Sequence, residues 1–255
     1  MFATSGFRNT RQRHWEGAAT APPRRRNIGT WAALACAAGV GLTQNMADGA
    51  SAAPAWSDTY QARLTLWALI ETLNADLLTS PSATQTLTEW CAAHDMAKDP
   101  RISARLLRGI AKPITPAQRR QLDIGPNEPV VYRRVDLTCG SHVLSQADNW
   151  YVPSRLTPAM NAALQTTDIP FGRVVRPLHI RRRTISVKIL WKPLPQDWEM
   201  APPRSNHLSD HRAQTLVIPP LLLEHHALVY AADGKPISEV DETYRSDILD
   251  FRPRR

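Results

Sequence analysis

The sequence lacks the signatures that announce most enzyme classes. It holds no nucleophile elbow, no glycine-rich phosphate loop and no metal-ligand pattern. The two nearest approaches to a metal set, His207-Leu208-Ser209-Asp210-His211 and His225-His226, lack a convincing third ligand, and the first lies in a proline-rich stretch. No metal and no cofactor is therefore expected. The basic runs Arg119-Arg120, Arg133-Arg134 and Arg181-Arg182-Arg183 are short and separated. Nucleic-acid binding wants a clustered basic face with interleaved aromatics, so these runs read as solvated strand faces. The one apolar run that stands out, Ile28 to Leu42, falls short of the about 20 residues needed to cross a bilayer, so no integral membrane segment is expected in the mature chain. Cysteine is scarce, at three residues. Cys91 and Cys139 either pair in an oxidising compartment or serve as small core residues, and spacing alone leaves both readings open.

Hydrophobic residues make up 43% of the 255, enough for a sizeable core, and charged residues 21%, too few for wholesale disorder. The net charge of +8 is uneven. Residues 1–52 hold six arginines (Arg8, Arg11, Arg13, Arg24, Arg25, Arg26) against Glu16 and Asp48, which leaves 25 basic and 21 acidic residues for the rest. Positive charge, the short apolar run and Ala50-Ser51-Ala52 ahead of Ala53-Pro54 are the parts of an export signal. Residues 1–52 thus read as a leader, and 53–255 as the mature domain, periplasmic or secreted. Translation from Met46 would instead give a cytoplasmic protein.

In the mature part, Leu66, Ile70, Leu73 and Leu77 recur at helical spacing, predicting a helix over 57–78 capped by Ser57 or Asp58. A second helix is expected over 83–93, a strand over 101–111, and a short helix from Thr115-Pro116 to near Gly125-Pro126. Val130 to Thr138 and His142 to Val152 read as a hairpin turning at Cys139-Gly140-Ser141. Helices follow from Thr157-Pro158 and from Pro170, then a β-branched run from Leu178 to Trp191. Six prolines make 193–220 a mobile loop or lid. Leu222 to Ala231, a turn at Asp233-Gly234 and Pro236 to Tyr244 form a final hairpin. This pattern implies an α+β fold, a single antiparallel sheet with helices packed on one face.

Three features carry candidate chemistry. In Tyr132-Arg133-Arg134-Val135-Asp136-Leu137, strand alternation lets one arginine point inward, where it needs an anion, and a carboxylate is the natural bidentate partner. Pro170-Phe171-Gly172-Arg173 opens a helix whose first N–H groups suit an anion. Glu239-Val240-Asp241-Glu242 places Glu239 and Asp241 on one strand face and Glu242 on the other, and any of the three can be the one that meets a pocket. Trp150-Tyr151 reads as core or rim.

The order of Arg134, Tyr151-Val152-Pro153, Pro170-Phe171-Gly172-Arg173 and Gly234-Lys235-Pro236 resembles the chorismate pyruvate-lyase family and the related UTRA ligand-binding domains. Ser82-Ala83-Thr84 stands where that family has Ser-Met-Thr, and Arg134 and Pro153 sit at its spacing without a gap. The resemblance covers roughly residues 60–245. It implies that Arg134 and the N–H groups of Ala83 and Phe171 bind a ring carboxylate, and that Glu242 meets the hydroxyl end. The implied activity is elimination of pyruvate from chorismate to leave 4-hydroxybenzoate, with Arg134 and Glu242 as catalytic residues. The alternative is a non-catalytic exported module that binds a small aromatic carboxylate.

Overall fold

A computed structural model describes residues 56–200 and 214–251. The leader, its cleavage site and His207 to His211 lie outside the described residues, as does the centre of the proline-rich segment.

The first helix, α1 (Tyr60–Thr79), buries Leu66, Ile70, Leu73 and Leu77 completely. This spacing brings all four onto one side, and each is worth about 1.5–3 kcal/mol of burial. The cap is Thr59, whose hydroxyl accepts from the Ala62 N–H. Asp58, the expected cap, instead binds Arg63, and Ser57 bridges to Thr215. The second helix, α2 (Ala83–Ala93), runs over the predicted residues and buries Leu87, Trp90 and Cys91. Pro116–Gln121 (α3) begins with a complete capping box between Thr115 and Gln118. Pro158–Thr166 (α4) and the single turn Phe171–Val174 (α5) each begin behind or at a proline.

The strands are β1 (Ile102–Leu106), β2 (Val131–Cys139), β3 (His142–Tyr151), β4 (Arg181–Ile189), β5 (Leu221–Tyr230) and β6 (Pro236–Arg245). They form one sheet in the order β1-β2-β3-β6-β5-β4, every neighbouring pair antiparallel. Both predicted hairpins are present, each turning through a glycine at positive φ, Gly140 at 55° and Gly234 at 83°. The strand expected over 101–111 stops at Leu106, where the Leu107 N–H bonds the Arg134 carbonyl.

Helices α1 and α2 cover the sheet face that carries Val135, Leu137, Ala147, Ala227 and Val240. A second cluster under α4 and α5 joins Tyr151, Leu164, Val175 and Val229 on that same face. The expectation that helices occupy one face only needs correction. Leu122, directly after α3, packs with Leu228 and Val152 on the opposite face. The expectation of a mobile 193–220 segment also changes at its ends, since Leu194 and Leu216 are buried and the Leu216 N–H bonds the Trp56 carbonyl.

Cys91 on α2 and Cys139 at the end of β2 are both fully buried and joined as a disulfide. The bridge closes 48 residues and ties α2 to the sheet. Thiol titration of denatured, unreduced protein should find neither cysteine free. Replacing both by serine should lower stability by about 2–5 kcal/mol, measured by chemical denaturation.

Candidate ligand-binding site

Between the sheet and the starts of α2 and α5 lies a small cavity, about 50 Å³ inside its mouth. Its floor is apolar, built from Val135, Leu137, Ala147, Val229 and Val240, with Phe171 and Ile180 at the sides. Four polar side chains reach it from the strands: Arg133 on β2, Asn149 on β3, Glu242 on β6 and Arg182 on β4. The rest of the rim is Pro81, Ser82, Ala83, Thr84 and Gly172.

The approach of α5 to α2 explains the glycine in Pro170-Phe171-Gly172-Arg173. A Cβ at position 172 would sit 2.5 Å from the Ser82 hydroxyl oxygen and 3.0 Å from that of Thr84. Ser82 precedes α2 without capping it through its side chain. Helix geometry leaves the first N–H groups, those of Ala83 and Thr84, without carbonyl partners, and Ala83 itself lines the cavity. Phe171 begins α5 beside them. An outer groove shares Ser82, Thr84, Gly172 and Ile180 with the cavity and carries Arg173, Arg176 and His179 towards solvent.

The two cavity arginines differ in their partners. Arg182 donates to the Glu242 carboxylate at 2.6 Å, to the Leu77 carbonyl at 3.1 Å and to the Thr184 hydroxyl at 2.8 Å. The Tyr244 hydroxyl donates to the same Glu242 oxygen at 3.0 Å. Burial works against the Arg182 charge, but Glu242 and Tyr244 outweigh it and hold its pKa above the ordinary value. Burial likewise drives the Tyr244 phenol well up, so it remains a donor. Arg133 is only 4% exposed, and no carboxylate among the described residues pairs with it. Its one hydrogen bond runs to the Ile169 carbonyl at 3.4 Å, and its Nε has no partner. Burial lowers its pKa from the ordinary value, with Tyr151 opposing.

The pocket arginine is thus Arg133, and the expectation for Arg134 is corrected. Arg134 lies on the opposite face with Asp136, its Nε 3.7 Å from Asp148, which also takes Tyr132 and Lys112. Of the three acidic candidates, Glu242 faces the cavity. Glu239 is buried on the far face against His226, 2.8 Å away, and Asp241 shares that face. Ala83 and Phe171 both line the cavity. The sequence reading missed Arg133 as the inward partner, and it missed Arg182 and Asn149 entirely. Strand alternation held the signal for Arg182, flanked by the exposed Arg181 and Arg183. Among the described residues no histidine, cysteine or carboxylate group is arranged to hold a metal.

No family model matches the chain. The curated protein "Uncharacterized protein y4mC" of Sinorhizobium fredii (strain NBRC 101917 / NGR234) is 47% identical over 197 residues, 77% of this chain and 81% of that one. The chain belongs to the y4mC family. In structure it is similar to PhnF from Mycobacterium smegmatis (15% identical, 70% of this chain and 69% of that one, TM-score 0.44). It is also similar to the separate effector domain of PhnF (15% identical, 66% and 90%, TM-score 0.42). A third similar structure is the possible transcriptional regulator YydK from Bacillus subtilis (13% identical, 60% and 62%, TM-score 0.36), so the match spans about three fifths of YydK.

In this y4mC-family chain a pH-dependent element lies beside the Arg182–Glu242 pair. His225, 1% exposed, bonds Asn74 at 2.9 Å, and its pKa falls from 6.5 to about 4. Burial is the main cause and the neighbouring Arg182 adds to it, against Glu242. The unfolded chain therefore binds a proton between pH 6.5 and 4 that the folded chain refuses, and stability falls as pH drops through this window. His226 has the opposite sign. Its bond to Glu239 raises its pKa, so its contribution is complete below 6.5 and fades as pH rises through that higher value. Melting temperature should decline from pH 6.5 to 4 by the equivalent of at most about 3 kcal/mol, and His225→Gln should flatten that slope. An unchanged slope in the variant would assign the acid sensitivity elsewhere.

Proposed function

We propose that this protein binds a small aromatic carboxylate bearing a hydroxyl group. The observation that carries the reading is Arg133, a buried guanidinium with no carboxylate partner, opening onto an apolar cavity. A buried cation left unpaired costs several kcal/mol, and an entering carboxylate recovers that cost. The apolar floor between Arg133 and Glu242 suits a ring. The two residues lie two strands apart and two registers along, since Arg133 opposes Asn149, which opposes Val240. Strand spacing puts their Cα atoms roughly 12 Å apart. That separation puts the two side chains at opposite ends of the apolar floor. One oxygen of Glu242 is taken by Arg182 and Tyr244, leaving the other for a ligand hydroxyl.

Elimination of pyruvate from chorismate is the second reading, favoured by a carboxylate and an arginine at opposite ends of one pocket. Against it, Glu242 is held by a cation and a phenol, an arrangement suited to accepting a hydrogen bond rather than to moving a proton. Export through a cleaved leader is retained as part of the proposal. The Cys91–Cys139 bridge supports it, because such bonds persist in oxidising compartments.

Calorimetric titration of 4-hydroxybenzoate into wild type, Arg133→Ala and Arg134→Ala tests the binding, with pyruvate release from chorismate assayed alongside. Arg133→Ala should weaken binding by about 30-fold or more, the usual cost of removing one partner of a buried charge pair. Arg134→Ala should change it little. Equal binding by wild type and Arg133→Ala would remove the assignment. Pyruvate release by wild type would select the enzymatic reading.

A further inference from the structure

Asn149 and Arg133 are directly opposed across β2 and β3, both facing the cavity. Opposed side chains have Cβ atoms about 4.5–5.5 Å apart. Asn149 is 4% exposed, and its amide orientation is set from behind: the fully buried Ser238 hydroxyl donates to its Oδ1. With the carbonyl oxygen held by Ser238, the Nδ2 group is left over, and no protein group among the described residues accepts from it. The cavity lining nearest β2 therefore offers the Arg133 guanidinium and the Asn149 Nδ2 group as donors. That arrangement excludes cations and neutral acceptor-poor groups and fits an anion with two oxygens.

We infer that Asn149, oriented by Ser238, is the specificity-determining partner of Arg133, forming a two-sided clamp for the ligand's carboxylate. This rests on the proposed function and adds the residue that separates a carboxylate from an amide or ester of the same shape. Two consequences follow from the geometry. An acidic group in place of Asn149 keeps the Ser238 bond through one oxygen and sets the other oxygen beside Arg133. It thereby supplies the missing anion from within the protein. Removing the Ser238 hydroxyl frees the amide to rotate and to turn its oxygen to the cavity, which blurs the clamp without altering its charge.

The experiment uses full-length protein and four chains: wild type, Asn149→Asp, Asn149→Ala and Ser238→Ala. Melting temperature is measured without ligand, and 4-hydroxybenzoate and 4-hydroxybenzamide are titrated by calorimetry. Asn149→Asp should melt roughly 5 °C higher than wild type, because Arg133 gains a buried partner. It should also lose 4-hydroxybenzoate affinity by about 100-fold or more, because the clamp is already filled. Asn149→Ala and Ser238→Ala should narrow the preference for the acid over the amide. An Asn149→Asp protein that melts at or below the wild-type temperature overturns the inference, whatever it binds. If wild type ignores both probes while Asn149→Asp still melts higher, the clamp stands and the aromatic ligand of the proposed function falls. If wild type binds the acid and Asn149→Asp binds it equally well, the function stands and the clamp falls.

Discussion

A buried guanidinium with no carboxylate partner among the described residues is the constraint on which the site depends. Charges are seldom buried alone, since desolvation costs more than a neutral hydrogen bond returns. Arg133 sits in that condition, with one long bond to a carbonyl. The surrounding fold must supply enough burial elsewhere to tolerate it. Helix α1, with four fully buried aliphatic side chains, and the six-stranded sheet do so. The tolerance leaves the cavity with a positive end that a ligand can neutralise.

The second arginine shows what the fold does where binding is not asked of it. Arg182 closes on Glu242, Thr184 and the Leu77 carbonyl, and Tyr244 completes the carboxylate's shell. This group is neutral as a pair and joins α1 to the sheet, while burial, helped by Arg182, keeps His225 uncharged. A cavity with one satisfied ion pair and one unsatisfied cation has a net charge of about +1, which matches a monoanion. A dianion would leave one charge uncompensated in an apolar enclosure.

Much of this was legible in the sequence, and the errors have physical causes. Helix α2 was read to its exact ends, and both hairpins were placed, because apolar periodicity and turn glycines are local signals. The choice of Arg134 over Arg133 rested on a residue count taken through the hairpin. That hairpin contains an irregularity: Leu137 opposes Ser145 while Thr138 opposes Val143, so Leu144 is one residue extra. A count across a bulge preserves order but not face. The strand's own pattern held the answer, since Val135 and Leu137 share the parity of Arg133, and Asp136 shares that of Arg134. Arg182 was lost for the opposite reason. Three consecutive arginines look solvated, although alternation must turn the middle one inward when its neighbours face water. Asn149 and Ser238 carry no local signal, because their meaning lies in a contact between strands 89 residues apart.

The rim explains why an anion end built from strands also needs helix starts and a disulfide. In the proposed clamp Arg133 and Asn149 define the charge and direction of the site, but strands alone leave it open to water, which would screen the charge and weaken the discrimination. The turn of α5 closes it by pressing Gly172 against Ser82 and Thr84, whose hydroxyls would have to shift to admit a Cβ. That contact holds only if α2 stays in place, and α2 is fixed to β2 by Cys91–Cys139 two turns beyond its start. The same strand that carries Arg133 inward thus anchors, at its far end, the helix that covers it. Cover and charge are set by one strand, so displacement of α2 would expose the guanidinium to solvent, and the unpaired state would no longer distinguish a ligand carboxylate from water.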